Sequence, residues 1–293
     1  MSIFWPPKPN RTLPVSSVCC GRLKVWAYSR RSPRWSSRIH HKANACARTF
    51  RIHCRLLSAL NFLPAEVCTK RGQAWGSIRT GEKAFDQIYG YDFWEFCRRN
   101  PKAGEVFNEA MGEVRRGTSP AVNNSYDWSR FAIIADIGGG LGVQLANILD
   151  AFPSCRGILF DQPQVLKQAA SHERIERISG DFFQHVPTGA DVYLLNGIIH
   201  DWTDSEALAI LGKVRQAMKA GARLAVLDDI IPETPQFSFG KWLDLLMLTI
   251  PGGRERTEIE FRKLLSSAGF DLEEVIVTRA PLSILLAKTR ETV

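Results

Sequence analysis

Residues 131–142 read FAIIADIGGGLG, and the fold turns on them. An unbroken apolar run that ends in an acid is a strand buried on both faces; the glycines that follow make a tight turn, and Leu141–Asp150 has the pattern of a helix. The alternation then repeats. RGILFD at 156–161, the short ERIS at 176–179, DVYLLN at 191–196 and ARLAVLDD at 222–229 are strand candidates, with helical stretches at Pro163–Ala170 and Ser205–Met218. Strands separated by helices predict an α/β domain with a mostly parallel sheet. The tail, DLEEVIVTRA followed by PLSILLAKT, leaves only a few residues between two strands. That spacing permits only an antiparallel hairpin at the sheet edge, the sixth and seventh strands.

Upstream, residues 75–130 have a helical pattern. Ala84-Phe85, Ile88-Tyr89 and Phe93 share one face, as do Val106-Phe107, Ala110-Met111 and Val114. Asn100 and Pro101 punctuate between two helices, and 117–125 reads as a loop. Residues 1–74 show no period of 2 or 3.6 until a possible amphipathic helix at 47–63. They hold 14 Lys/Arg against the single acid Glu66, whereas the remaining 219 residues hold 24 Lys/Arg and 29 Asp/Glu. The net charge of +8 therefore belongs to the head of the chain, and the body is mildly acidic. This distribution speaks against a nucleic-acid-binding body. The expected organisation is a basic, poorly ordered leader at 1–74, a helical segment at 75–130 and an α/β domain at 131–293.

Of the 293 residues, 45% are hydrophobic and 23% are charged, which excludes a disordered or fibrous chain. No apolar run reaches the ~20 residues that a bilayer requires. Seven cysteines without regular spacing, and no secretory apolar region, argue against a disulfide framework and for a cytoplasmic protein. An Arg- and Ser-rich head also fits a mitochondrial transit peptide, though a bare leader is the simpler reading. His40, His41, Cys46, His53 and Cys54 offer no paired spacing for zinc, and no metal is expected.

Five strand ends carry the chemistry. Asp136-Ile137-Gly138-Gly139-Gly140-Leu141-Gly142 lets backbone approach a ligand at the amino end of a helix. A dinucleotide fingerprint G-x-G-x-x-G fails here, because Val143 or Leu145 stands where the last glycine belongs. The D-x-G-x-G-x-G spacing fits an S-adenosylmethionine loop instead. Asp161 ends the second strand, 25 residues after Asp136, where a carboxylate can bind a ribose diol. Asp181 and Phe182 follow the third strand and suit an adenine. Past the fourth strand, Ile199-His200-Asp201-Trp202 places a histidine of near-neutral pKa at the same edge, a proton acceptor. Asp228 ends the fifth strand, and Glu255 lies in GGRERTEIEF just before a helix. Taken singly, these two acids also read as a strand-end cap and a first-turn helix charge.

The ordered run IADIGGGLG, FDQPQV, GDFF, LLNGIIHDW, LDLLML, PGGRERTEIEF and AGF resembles the S-adenosylmethionine-dependent small-molecule O-methyltransferases, from about Trp75 to Val293. The resemblance implies a Rossmann-like class I methyltransferase domain that transfers a methyl group to a hydroxyl of a small aromatic acceptor. It implies His200 as general base, oriented by Asp228 and Glu255. It implies cofactor contacts at Gly138, Asp161, Asp181, Phe182, Asn196 and Trp202, and an acceptor pocket lined by Phe107, Met111 and Met247. It also implies a homodimer built through a winged-helix domain, whose helices and wing are not found in 1–74. The family commonly has Glu at the position of Asp228 and often Lys at that of Asn196. A hydroxylase or pericyclase on the same scaffold, an inactive homologue and a nucleic-acid methyltransferase are the rival readings.

Overall fold

The strand opened by the decisive stretch becomes the centre of the sheet. In the computed structural model, which describes residues 73–235 and 238–290, β1 (Ile133–Ile137) pairs in parallel with β2 (Arg156–Asp161) on one side. On its other side it pairs with β4 (Val192–Asn196). β3 (Ile175–Ser179) and β5 (Arg223–Asp228) extend the parallel sheet outward. β7 (Ser283–Thr289) then runs antiparallel between β5 and β6 (Phe270–Val277), giving the order β3-β2-β1-β4-β5-β7-β6. The expected parallel sheet with a terminal antiparallel hairpin is what the structure shows.

Alternation along the strands divides the core into two layers. Ala135, Ile137, Tyr193 and Leu195 face α7 (Asp204–Ala217) and α9 (Glu258–Ser267) through Ile210, Val214, Phe261 and Leu265. Ile134, Val192 and Leu194 face the other way, against Leu145, Ile148 and Leu149 of α5 (Val143–Ala151). Between β2 and β3 lies only the one-turn α6 (Pro163–Leu166). The order of β1 switches direction here, with β2 to one side and β4 to the other. In doubly wound sheets this switch opens a crevice at the strand carboxyl ends.

Four helices precede the sheet: α1 (Gln73–Thr80), α2 (Ala84–Tyr89), α3 (Phe93–Arg99) and α4 (Pro101–Ser125). With α8 (Phe239–Thr249) they bury a third apolar cluster around Phe85, Phe93, Leu246, Met247 and Ile250. That cluster roofs the crevice. Asn100 and Pro101 do punctuate, as α3 ends and Pro101 starts α4. One expectation is corrected. The loop read at 117–125 is the last two turns of α4, with Pro120 inside it. A proline removes one helical hydrogen bond, but tertiary packing compensates. Val122 is buried, Asn123 Nδ2 donates to the Asn147 carbonyl at 2.9 Å, and the Ser119 hydroxyl lies 2.9 Å from Gln144 Oε1. The leader and the possible helix at 47–63 lie outside the described residues. No described helix is long and apolar enough to cross a membrane.

Helix continuity through an exposed proline has a measurable consequence. Pro120→Ala should raise stability by roughly 1–3 kcal/mol in urea unfolding, because the lost hydrogen bond is restored. A loop at 117–125 would instead yield no gain.

Candidate active site

The crevice widens into a cavity of about 1020 Å³, at the upper end of the ~300–1,000 Å³ usual for small-molecule sites. The glycine turn forms one wall. Gly138, Gly140 and Gly142 adopt φ of 68°, 60° and 75°, a region that penalises any side chain. At Gly139 a Cβ would come within 2.7 Å of the Asp136 carboxylate. The turn is tied down from β2: Gly140 N–H donates to Asp161 Oδ2 at 2.8 Å, and Gln162 N–H to Oδ1 at 2.7 Å. Each oxygen keeps a lone pair that these bonds do not use. Asp181 accepts from Phe183 N–H at 2.9 Å and lines the cavity beside Phe182. Asn196, at the end of β4, is buried, and neither atom of its amide has a hydrogen-bond partner among the described residues.

Opposite lies the histidine turn. His200 sits in a 3-10 turn at Ile199–Asp201, and its Nδ1 is 2.7 Å from Glu255 Oε1. Asp228 Oδ1 stands 3.8 Å from the same nitrogen, and Asp201 Oδ1 stands 3.7 Å from Nε2. His200, Asp201 and Asp228 line the cavity, whereas the fully buried Glu255 lies behind the ring. Glu255 precedes the N-cap Thr257 of α9, so it is no first-turn helix charge. An isolated parallel bridge between Ile230 and Arg256 brings its loop beside the end of β5. Asp244 of α8 accepts from Glu255 N–H at 3.0 Å, which fixes the backbone there.

The neighbouring run holds the turn itself. Arg254 N–H donates to the His200 carbonyl at 2.8 Å, and a Cβ on Gly253 would collide with that same backbone. Arg256, fully buried, donates to the carbonyls of Ile199 at 2.9 Å and Trp202 at 3.0 Å, and pairs with Asp204 at 2.8 Å. Trp202 stacks on Trp94 with centroids 5.7 Å apart and meets Phe182 edge-on at 5.9 Å. Phe107, Met111 and Met247 line the far side of the cavity. Except for Glu255 behind the histidine, every residue singled out in the sequence faces one space.

A family model for the O-methyltransferase domain matches residues 72–271. This chain belongs to the O-methyltransferase family. The phenazine O-methyltransferase PhzM of Lysobacter antibioticus is 40% identical over 227 residues, 74% of this chain and 67% of that protein. The mitomycin biosynthesis 6-O-methyltransferase of Streptomyces lavendulae is 43% identical over 204 residues, 67% of this chain and 58% of that protein. The solved O-methyltransferase NcsB1 of neocarzinostatin biosynthesis, in complex with S-adenosylmethionine and 2-hydroxy-5-methyl naphthoic acid, matches with a TM-score of 0.68 at 28% identity. That match covers 74% of this chain and 67% of NcsB1. The chain thus spans about two thirds or less of the length of these relatives.

The electrostatics of this site correct one expectation. Burial pulls the His200 pKa down, but the carboxylates of Glu255, Asp228 and Asp201 outweigh it and raise the value from 6.5 to about 10. The acids therefore hold the ring proton more tightly than the near-neutral base read from sequence would. Burial in turn lifts Asp228 to about 7, against the pull of His200. Sequence reasoning quoted Asp136, whose carboxyl burial lifts to about 7, only as part of the glycine motif, and missed Arg115, Asp201 and Arg256. The last two stand inside quoted motifs, HDW and GGRERT, so their position was visible and their contacts were not.

A raised folded-state value means that His200 adds stability below pH 6.5, and that this is lost as pH climbs through about 10. Glu255→Gln keeps an acceptor for Nδ1–H but removes the nearest negative charge. Ring-proton NMR should then show His200 titrating at least about one pH unit lower. An unchanged titration would mean that Asp228 and Asp201 set the value.

Proposed function

We propose that the protein transfers a methyl group from S-adenosylmethionine to a hydroxyl of a small aromatic acceptor, with His200 as the proton acceptor. The observation that carries this reading is the His200–Glu255 pair, 2.7 Å apart, facing the glycine turn across one cavity. The cofactor fits the residues present. Open lone pairs on Asp161 suit a ribose diol, Asp181 and Phe182 suit an adenine, and the partnerless Asn196 amide and Asp136 Oδ1 suit the polar tail. When bound, the cofactor supplies a methyl group made electrophilic by its sulfonium.

The acceptor lies between Phe107, Met111, Met247 and the histidine turn, a slot whose apolar walls exclude water around an aromatic ring. Glu255 fixes the tautomer by taking Nδ1–H, which leaves Nε2 for the acceptor hydroxyl. A phenol titrates near ~10, close to the raised value of His200, so the proton is shared between partners of similar affinity and its transfer costs little. The pair reaches its reactive state by losing one proton to solvent, whether it is written as imidazole with phenol or as imidazolium with phenolate. Asp228 and Glu255 favour the second form, and the apolar slot holds its oxygen in place.

Three outcomes test the assignment. Asp161→Ala should weaken S-adenosylhomocysteine binding by at least ~10-fold in calorimetry, because two hydrogen bonds to a charged group are lost at ~1.5–3 kcal/mol each. His200→Ala should lower kcat by roughly 10²–10⁴-fold with cofactor affinity nearly unchanged. The wild-type kcat/KM should keep rising with pH toward about 10, without levelling near 6.5. If His200→Ala kept more than about half of the wild-type rate, the histidine would not carry the proton.

A further inference from the structure

Arg115 stands in the wall of the cavity with most of its donors unengaged. It projects from the middle of α4, and among the described residues its guanidinium makes one hydrogen bond, from Nη2 to the main-chain carbonyl of Asn196 at 2.7 Å. A guanidinium carries five N–H donors in a planar fork. Among the described residues no carboxylate oxygen lies within 4.0 Å of it. Burial pulls its pKa down, against Asp228, Asp136 and Asp201, which surround it from farther away and do not fill its donors. Space is reserved for it: Gly197 lies directly beneath at φ 63°, and a Cβ there would collide with the guanidinium. The Asn196 amide, also without partners, lies on the residue that Arg115 contacts.

A half-buried cation with open, forked donors beside a partnerless amide is a receptor for a planar anion. We propose that Arg115 is the anion anchor of this cavity, binding together with the Asn196 amide a carboxylate carried by a ligand. Two ligands can bring one: the amino-acid end of the cofactor, or an acceptor that is an aromatic hydroxy acid. NcsB1 was solved with such an acid, 2-hydroxy-5-methyl naphthoic acid. The inference rests on the methyl-transfer reading of the same cavity, so it is tested by binding and not by turnover.

Calorimetry on the full chain compares wild type with Arg115→Gln, using two ligand pairs that differ in the carboxylate. One pair is S-adenosylhomocysteine and 5′-methylthioadenosine. The other, with S-adenosylhomocysteine present, is a hydroxynaphthoic acid and its methyl ester. In at least one pair the variant should bind the acid tenfold or more weakly while binding its carboxylate-free counterpart as wild type does; the pair that responds identifies the source. Equal weakening within both pairs would make Arg115 a brace between α4 and β4 and overturn the proposal, as would unchanged binding throughout. If Arg115→Gln melts well below wild type, Arg115→Lys, which keeps the charge but not the fork, is judged by the same ratios. Wild-type protein that failed to bind S-adenosylhomocysteine would overturn the methyl-transfer reading as well.

Discussion

The carboxylates around His200 are the constraint on which the site depends. Burial alone would pull a proton off the imidazole and lifts the carboxyls of Asp228 and Asp201. Held 2.7 to 3.8 Å from the ring, the acids nonetheless strengthen its hold on the proton. The geometry is costly to maintain and has its own supports. Arg256 clamps the turn through three contacts, Asp244 fixes the Glu255 backbone, and the bridge between Ile230 and Arg256 registers the loop against β5. Removing one acid changes the charge of the whole set and not of one residue.

The sheet places this set opposite the glycine turn. The switch between β2 and β4 on either side of β1 puts the ends of β1, β2, β4 and β5 around one crevice. Asp161 closes on the turn from β2, and Asp228 approaches the histidine from β5. The helices before the sheet then roof the crevice with Phe93, Trp94 and Phe107. Trp202 joins the two halves by stacking on Trp94 and meeting Phe182 edge-on. The surface left between them is apolar beside Phe107, Met111 and Met247 and polar beside the glycine turn.

Much of this was legible because it is local. Apolar runs ending in acids gave the strands, and the glycines gave the turn, since both depend on neighbours in the chain. The helix through Pro120 was not legible: its support comes from α5, through Gln144 and Asn147, residues far along the sequence. Arg115 was passed over for a similar reason. In sequence it is one of two adjacent arginines on a helix, and only the fold turns it toward Asn196 while Arg116 pairs with Glu113 at the surface. The histidine was found but the upward pull on its pKa was not, because a pKa depends on every acid that the fold gathers and motif spacing shows only some of them.

Absorbance of a bound nitrophenol acceptor analogue, recorded with S-adenosylhomocysteine at a pH below the analogue's solution pKa, reads directly where the shared proton resides. If the carboxylates hold His200 as an imidazolium, the wild-type protein should bind the analogue as the red-shifted phenolate, and His200→Ala should bind it as the neutral phenol. A neutral phenol in the wild-type site, or equal ionisation in both proteins, would contradict the account.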